Sequence, residues 1–403
     1  MLRFTSSKLQ THHKNHSARI FAWLSLICGI GSAVFWTIFP LILHGKIHSE
    51  SIVGYYFSFI ALIGLIVSIL STLLFQRYSR IHITKVVFII SILALFFMTF
   101  AKNMWQIVGL DIPRAIAEVL IWMSLSLFVH EYSKKANIAL EEGRYYLFNN
   151  IGWIIGPLIG GYSAKFFGNE SIFIVSTFFF LVALLVFLHQ GFVVKHPHIQ
   201  NGIHTEGIRE LWDNMKTFLQ RVELRKVFFV SLGLTFWWKL RGVYMPLTIE
   251  NMGYSQDVVG WVMSMGILPL VLLEQYAGRL AQRNGVRTYI ILGFTLVAAF
   301  VLSFIFASPW PILLFVLFAS ADIGAAFLEP LRITYFFEVV KKKEAERFFG
   351  LYNTAETLGH IMAPLLGGFF LFVGQGNIQY LWGGFFLLFV LFAFGSRTIK
   401  KKY

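Results

Sequence analysis

Apolar residues in this chain come in long blocks, not in the alternating stripes of a half-buried sheet. Residues 51–76, 171–194 and 357–396 contain no Lys, Arg, Asp or Glu. A helix needs about 20 apolar residues to cross the hydrocarbon core of a bilayer. The first two blocks therefore predict one membrane span each. The third predicts two, broken at Gly374-Gln375-Gly376-Asn377. The same reading along the chain predicts twelve spans, near residues 20–44, 51–75, 86–101, 104–130, 145–166, 171–193, 227–249, 257–278, 288–307, 310–338, 348–373 and 379–396. The one long polar stretch, 194–226, places Ile208, Leu211, Trp212, Met215, Leu219 and Val222 at helical spacing with charges opposite. That pattern predicts an amphipathic helix, lying on the membrane surface or packed under the bundle.

Composition agrees and adds an orientation. Of 403 residues 57% are apolar and 13% charged, and mean hydropathy is +0.68. Soluble chains carry about 25% charged residues, so this one has too little charge to clothe a water-facing surface. A net charge of +14 would suggest nucleic acid as partner if it were spread evenly. Instead, 27 of the 34 Lys and Arg fall in the termini and even-numbered loops. Only Lys46, Lys102 and Lys165 lie in or beside the odd-numbered loops. Cationic loops stay cytoplasmic, which predicts cytoplasmic termini, a plasma-membrane location and no nucleic-acid role. The basic N-terminal tail precedes an apolar run too long for a signal-peptide core, so it reads as leading into an uncleaved first span. The single Cys28 lies in that span and excludes an intramolecular disulfide.

An internal repeat fixes the organisation. Pro40 and Pro246 are 206 residues apart, as are Ser49 and Ser255, Gly54 and Gly260, Ser58 and Ser264, Gln76 and Gln282, and Arg77 and Arg283. Gly152–Gly161 (GWIIGPLIGG) matches Gly359–Gly368 (GHIMAPLLGG) at an offset of 207, shared by Glu131 and Glu338. The expected plan is an all-α membrane protein of two parallel six-helix halves, residues 1–193 and 227–403, joined by a cytoplasmic linker at 194–226.

Two such halves with a long linker resemble the major facilitator superfamily, and local motifs carry the resemblance. GRLAQRNGVR (Gly278–Arg287, including Gly285) is similar to that family's G-x-x-x-D-R-x-G-R loop, and TLLFQRYSR (Thr72–Arg80) is its degraded partner. The resemblance implies twelve helices and alternating access. It also implies a loop latch pairing Arg77 with Glu131 and Arg283 with Glu338. The latch acid is replaced here by Gln76 and Gln282, which predicts a weakened outward-facing lock. The run Gly152, Gly156, Pro157, Gly160, Gly161 is similar to that of the drug-antiporter branch and favours export. With Gly359, Pro364, Gly367 and Gly368 in the eleventh span, it reads either as a sliding surface between halves or as ordinary tight packing.

Charges inside spans mark the candidate site. A charged side chain at mid-bilayer costs at least ~2.5–3.5 kcal/mol, so such residues face a polar interior. Asp111, Arg114 and Glu118 share one face of the fourth span; Asp322, Glu329 and Arg332 share one of the tenth. Lys239 lies in the seventh span with Arg241 pointing elsewhere, Glu274 in the eighth, and Glu356 with His360 one turn apart in the eleventh. Two readings stand: internal salt bridges at helical spacing, and a substrate and proton pathway. In the second, Glu118, Glu329, Glu356 and His360 are the proton-coupling candidates. Asn149 and Trp153 on the fifth span, with Trp36, Trp237 and Trp238, are candidates for lining an amphipathic substrate's route. The seven-residue spacing common to Asp111/Glu118 and Asp322/Glu329 sits at an offset of 211, and reads as coincidence.

His12, His13, His16, His196 and His198 have loose metal-like spacing but read as solvated tail and linker residues. No P-loop, H-E-x-x-H or Cys-rich motif occurs, so neither an enzyme nor a resident cofactor is expected, only a proton or other ion gradient. The leading reading is a monomeric, proton-coupled secondary transporter of a small organic or amphipathic molecule, favouring export. Proton-coupled uptake of a sugar, nucleoside or organic ion, and a transporter-derived sensor or scaffold, are the alternatives.

Overall fold

The computed structural model describes residues 19–133, 138–190, 208–307, 309–340 and 342–400. The tail and linker histidines singled out above lie outside them. The described residues form fourteen helices and no strand. The first six spans are α1 (Arg19–Ile47), α2 (Glu50–Arg77), α3 (Arg80–Met98), α4 (Met104–Tyr132), α5 (Ile138–Phe167) and α6 (Ser171–His189). The linker helix is α7 (Ile208–Gln220). The second set is α8 (Val222–Asn251), α9 (Gln256–Met265), α10 (Leu268–Asn284), α11 (Val286–Ala307), α12 (Pro311–Val339), α13 (Lys342–Val373) and α14 (Ile378–Ser396). Ten stretches are long and apolar enough to cross a membrane, with α9 and α10 counted as one. The other two, α5 and α8, have 30 residues each.

Each predicted span has its helix, but the eighth is interrupted. Gly266 N–H still bonds Val262 O, whereas Ile267 N–H bonds Ser264 O at 3.1 Å, three residues back instead of four. Pro269, at the start of α10, has no N–H to give. The i→i+4 ladder therefore lapses for one turn, and the span becomes two helices. At the far end of α10, Gly285 takes φ +89°, a left-handed value suited to glycine, and its N–H bonds Ala281 O. Its repeat equivalent, Ser79, has φ −59°, so the first loop makes no such demand and dispenses with the glycine.

Packing divides the chain into two units: Met1–Trp36 with Ile66–Val194, and Thr37–Leu65 with Lys195–Tyr403. Compared with the expected halves, the last part of α1 and the first part of α2 group with the second unit. There Asn251 donates its side-chain amide to Glu50, and His44 Nδ1 lies 3.5 Å from Glu250. The Tyr244 hydroxyl donates to Pro364 O at 2.8 Å.

The glycine runs serve tight packing inside each unit. A Cβ on Gly152 would lie 2.8 Å from Leu26 O, and one on Gly160 2.9 Å from Val34 O, both on α1. One on Gly359 would lie 2.6 Å from Thr235 Cβ on α8, and Gly367 packs on the Tyr244 ring. With little hydrophobic drive between helices in lipid, such close backbone approach supplies the attraction. At Gly152, Gly160, Gly359 and Gly367 the contact is tight packing of α1 on α5 and α8 on α13, whereas Gly368 packs on Ser51 and Tyr55 of α2. Aromatic rings fill the rest: Phe21 stacks on Phe128 in the first unit, and Phe229, Phe236 and Phe294 gather round Phe392 in the second. Large apolar side chains such as Leu272, Ile312 and Phe372 point outward, as lipid-facing residues must.

α7 packs beneath the second unit. Among its described side chains Asn214 and Phe218 are buried, with Phe218 against Phe228 and Phe348. Arg221 holds Glu344 at the start of α13 through two hydrogen bonds of 3.0 and 2.8 Å.

Candidate functional site

In the first unit the helical spacing of Asp111, Arg114 and Glu118 becomes a closed triad. Arg114 Nε donates to Asp111 Oδ1 and Nη1 to Glu118 Oε2, both at 2.5 Å. The three residues are 1%, 2% and 8% exposed. α1 completes the arrangement: Ser32 Oγ donates to Glu118 Oε1 at 2.6 Å and Trp36 Nε1 to the same oxygen at 3.2 Å. The guanidinium carbon of Arg114 sits 3.9 Å from the Phe35 ring centroid, a cation–π contact. With both acids ionised, two carboxylates face one guanidinium, so the triad carries one net negative charge. Asn149 on α5 turns its Oδ1 towards Gly29 of α1, and Trp153 is half-buried on the same helix.

The second unit holds two charge groups. In one, Asp322 accepts a 2.6 Å hydrogen bond from Trp237 Nε1 and its other oxygen lies 2.9 Å from Arg241 Nε. In the other, Arg332 Nη2 donates to Glu329 Oε1 at 2.6 Å, and Trp238 Nε1 to Glu329 Oε2 at 3.1 Å. Arg332 Nη1 also lies 3.5 Å from Glu356, whose side chain is 48% exposed. Glu274, half-buried on α10, is within electrostatic reach of Glu329 and Arg332. Lys239 and His360 are both half-buried in this unit, on α8 and α13.

Four expectations change. Asp322 joins neither Glu329 nor Arg332; it forms an ion pair with Arg241 of α8, because the single turn between Trp237 and Arg241 brings an indole N–H and a guanidinium to one carboxylate. Glu356 pairs with Arg332 and makes no ion pair with His360 among the described residues. Glu131 is held by Arg80 at 2.7 Å, not by Arg77, which is exposed. Arg80 is the last basic residue of the first loop motif; 206 residues on stands Val286, and Glu338 correspondingly makes no ion pair with Arg283 among the described residues. The side chains of Gln76 and Gln282 lie outside what the structure describes. Sequence reasoning also missed Ser32 and gave Arg241 no partner. A charge within an apolar span was the available signal for Arg241; for Ser32 there was none.

The offset of 211 also acquires a meaning. Trp36 bonds Glu118 and Trp238 bonds Glu329. From the first pair to the second the tryptophan moves by 202 residues and the glutamate by 211, against 206 and 207 for the flanking anchors. α1 and α4 run antiparallel, as do α8 and α12, so four fewer on one helix and four more on the other is one physical shift. The Trp–Glu couple recurs in the second unit one helical turn nearer the end that bears the basic loops.

The sequence model of the Major Facilitator Superfamily matches residues 21–255 and again 227–402, once per repeat. The chain belongs to that superfamily. It is thus a multi-pass membrane protein of a transporter family. A multi-drug resistance efflux pump PmrA homolog of Lactococcus lactis is 23% identical over 284 residues, 67% of this chain and 66% of that protein. The multidrug resistance protein MdtH of Cronobacter sakazakii is 27% identical over 146 residues, 36% of this chain and 35% of its own length. The alignments thus span less than two thirds of these relatives. Among solved structures, the nucleoside transporter NupG superposes with a TM-score of 0.75 at 13% identity, covering 94% of this chain and 98% of that one. A bacterial homolog of the lysosomal transporter Spinster does so with a TM-score of 0.73 at 13% identity, covering 98% of each. These superpositions show the fold.

Proposed function

We propose that this superfamily member is a proton-coupled secondary transporter that exports an amphipathic organic molecule across the plasma membrane, with Glu118 as the proton carrier. One observation carries the reading: a buried carboxylate joins α1 to α4 and leaves its cluster one charge out of balance. Ionised, Glu118 accepts from Ser32, Trp36 and Arg114 and ties the two helices together. Protonated, it leaves Arg114 matched by Asp111 alone, and the triad becomes neutral. A substrate cation beside Glu118 would cancel the same charge. Proton and substrate would then compete for one neutralising role, which is the logic of antiport. Export is supported by the drug-efflux names of the relatives, and cytoplasmic termini by the clustering of Lys and Arg.

The test uses the purified chain in proteoliposomes with an imposed pH gradient and a panel of hydrophobic cations, nucleosides and peptides. Cation flux opposite to proton flux, lost in Glu118→Gln, supports the proposal. Co-directional flux of a nucleoside or peptide with protons would replace export by uptake. Absence of flux with every class would leave a sensor or scaffold.

A further inference from the structure

The break in the eighth span is stapled by charge. At the lapse between α9 and α10, Met263 O loses the N–H of Ile267, which bonds Ser264 O instead. An orphaned buried carbonyl is costly. Arg241 Nη2 supplies the missing donor from α8 in a short hydrogen bond. The same guanidinium pairs through Nε with Asp322 of α12, and Asp322 is held in turn by Trp237. Asp322 is 0% and Arg241 5% exposed. Gly266 is where this group meets the bend: a Cβ there would fall against Asp322 Oδ2 and 2.6 Å from Arg241 Nη2. One ion pair therefore joins three helices at the residue where one of them bends.

We infer that Arg241 and Asp322 are positioning residues, a fixed anchor that holds the eighth span bent at Gly266–Pro269 and so sets how α10 presents Glu274 to Glu329 and Arg332. Opposite charges cancel within the pair: Asp322 Oδ1 accepts from Trp237, and Oδ2 lies at ion-pair distance from Arg241 without a hydrogen bond. That distinguishes it from Glu118, whose triad retains a net charge. The part of this inference that concerns Glu274 rests on the transport reading above; the anchor itself does not.

The bend can be measured without any substrate. Trp261 on α9 and Tyr276 on α10 are both exposed and lie fifteen residues apart, about 22 Å along a straight helix. Spin labels at Trp261→Cys and Tyr276→Cys on the full chain in lipid nanodiscs report the bend as a distance distribution by pulsed EPR. Cys28 is buried and is replaced by Ser in all samples. A single narrow distance is expected for the parent. Arg241→Gln and Asp322→Asn are expected to broaden it by several ångströms, and Trp237→Phe, which removes only one donor, to do so less. Unchanged distributions in all three overturn the anchor. If the charge variants do not fold, Trp237→Phe decides alone. The second readout is proton-driven flux in proteoliposomes: Asp322→Asn is expected to lower its rate several-fold without moving its pH midpoint. A moved midpoint with an unchanged distance distribution would make Asp322 a proton carrier and sink the inference. Absence of flux in the parent would count against the transport reading and leave the distance result to judge the anchor.

Discussion

Each unit sets a tryptophan, a glutamate and an arginine together, but the two groups are built differently. Around Glu118 every charged member lies on α4, at i, i+3 and i+7, and the whole is buried. Around Glu329 the second acid, Glu356, arrives from α13, at a looser 3.5 Å and half in the open. The ion pairs of the first group are internal to one helix and keep their geometry wherever that helix goes, while Ser32 and Trp36 tie Glu118 to α1. The second depends on how α13 stands against α12. The second unit also holds a neutral pair, Arg241–Asp322, for which the first has no counterpart among the described residues. On the proposed reading, carboxylates in one membrane protein take different tasks from their partners: an unbalanced one to take a proton, and a balanced one to act as a strut.

The largest effect is expected from Glu118→Gln, which should abolish proton-coupled flux, whereas Glu329→Gln should only reduce it, because Glu274 and Glu356 remain near Arg332. Equal loss in both, measured in the same proteoliposomes, would erase the difference. Next come the acids beside the arginines. Asp322→Ala leaves Arg241 as an uncompensated buried charge and should cost about 3–5 kcal/mol. Asp111→Ala leaves Arg114 still matched by Glu118 and should cost distinctly less. Thermal unfolding in lipid ranks the two, and the reverse order would contradict the assignment of strut and carrier. A smaller change is expected from Gly156→Val on α5. Its Cβ would fall 2.8 Å from Ile30 O, and overpacking of this kind costs roughly 1–3 kcal/mol. The smallest concerns the loops. Arg80→Gln removes the partly exposed ion pair with Glu131, worth about 0.2–1 kcal/mol. Arg283→Gln, with no such ion pair among the described residues, should leave the melting temperature unchanged.

The spans were legible because a bilayer demands long apolar runs and permits little else, so hydropathy places the twelve spans within a few residues over most of their ends. The repeat was legible through its punctuation, Pro40 with Pro246 and the two Gly-Pro runs. What stayed hidden was tertiary. Helical spacing shows that Arg114 can reach Asp111 and Glu118, since all three ride one helix. It does not show that Arg241 will leave its own helix for Asp322, or that Ser32 will meet Glu118, because those contacts depend on how helices turn against each other. The break at Gly266 lay in plain view as Gly-Ile-Leu-Pro within an apolar run, yet Gly and Pro are common in membrane helices and seldom interrupt them. Motif analogy misled in one detail: the acid ending α4 chose Arg80 over Arg77, which lies three residues earlier and faces outward.

The most direct test of the central claim is proton release on binding. Purified chain in weakly buffered detergent solution is mixed with saturating tetraphenylphosphonium, an amphipathic organic cation, and the pH change is read with an indicator dye. About one proton per chain is expected to be released by the parent and none by Glu118→Gln, with Asp322→Asn still releasing. Release that persists undiminished in Glu118→Gln would contradict it.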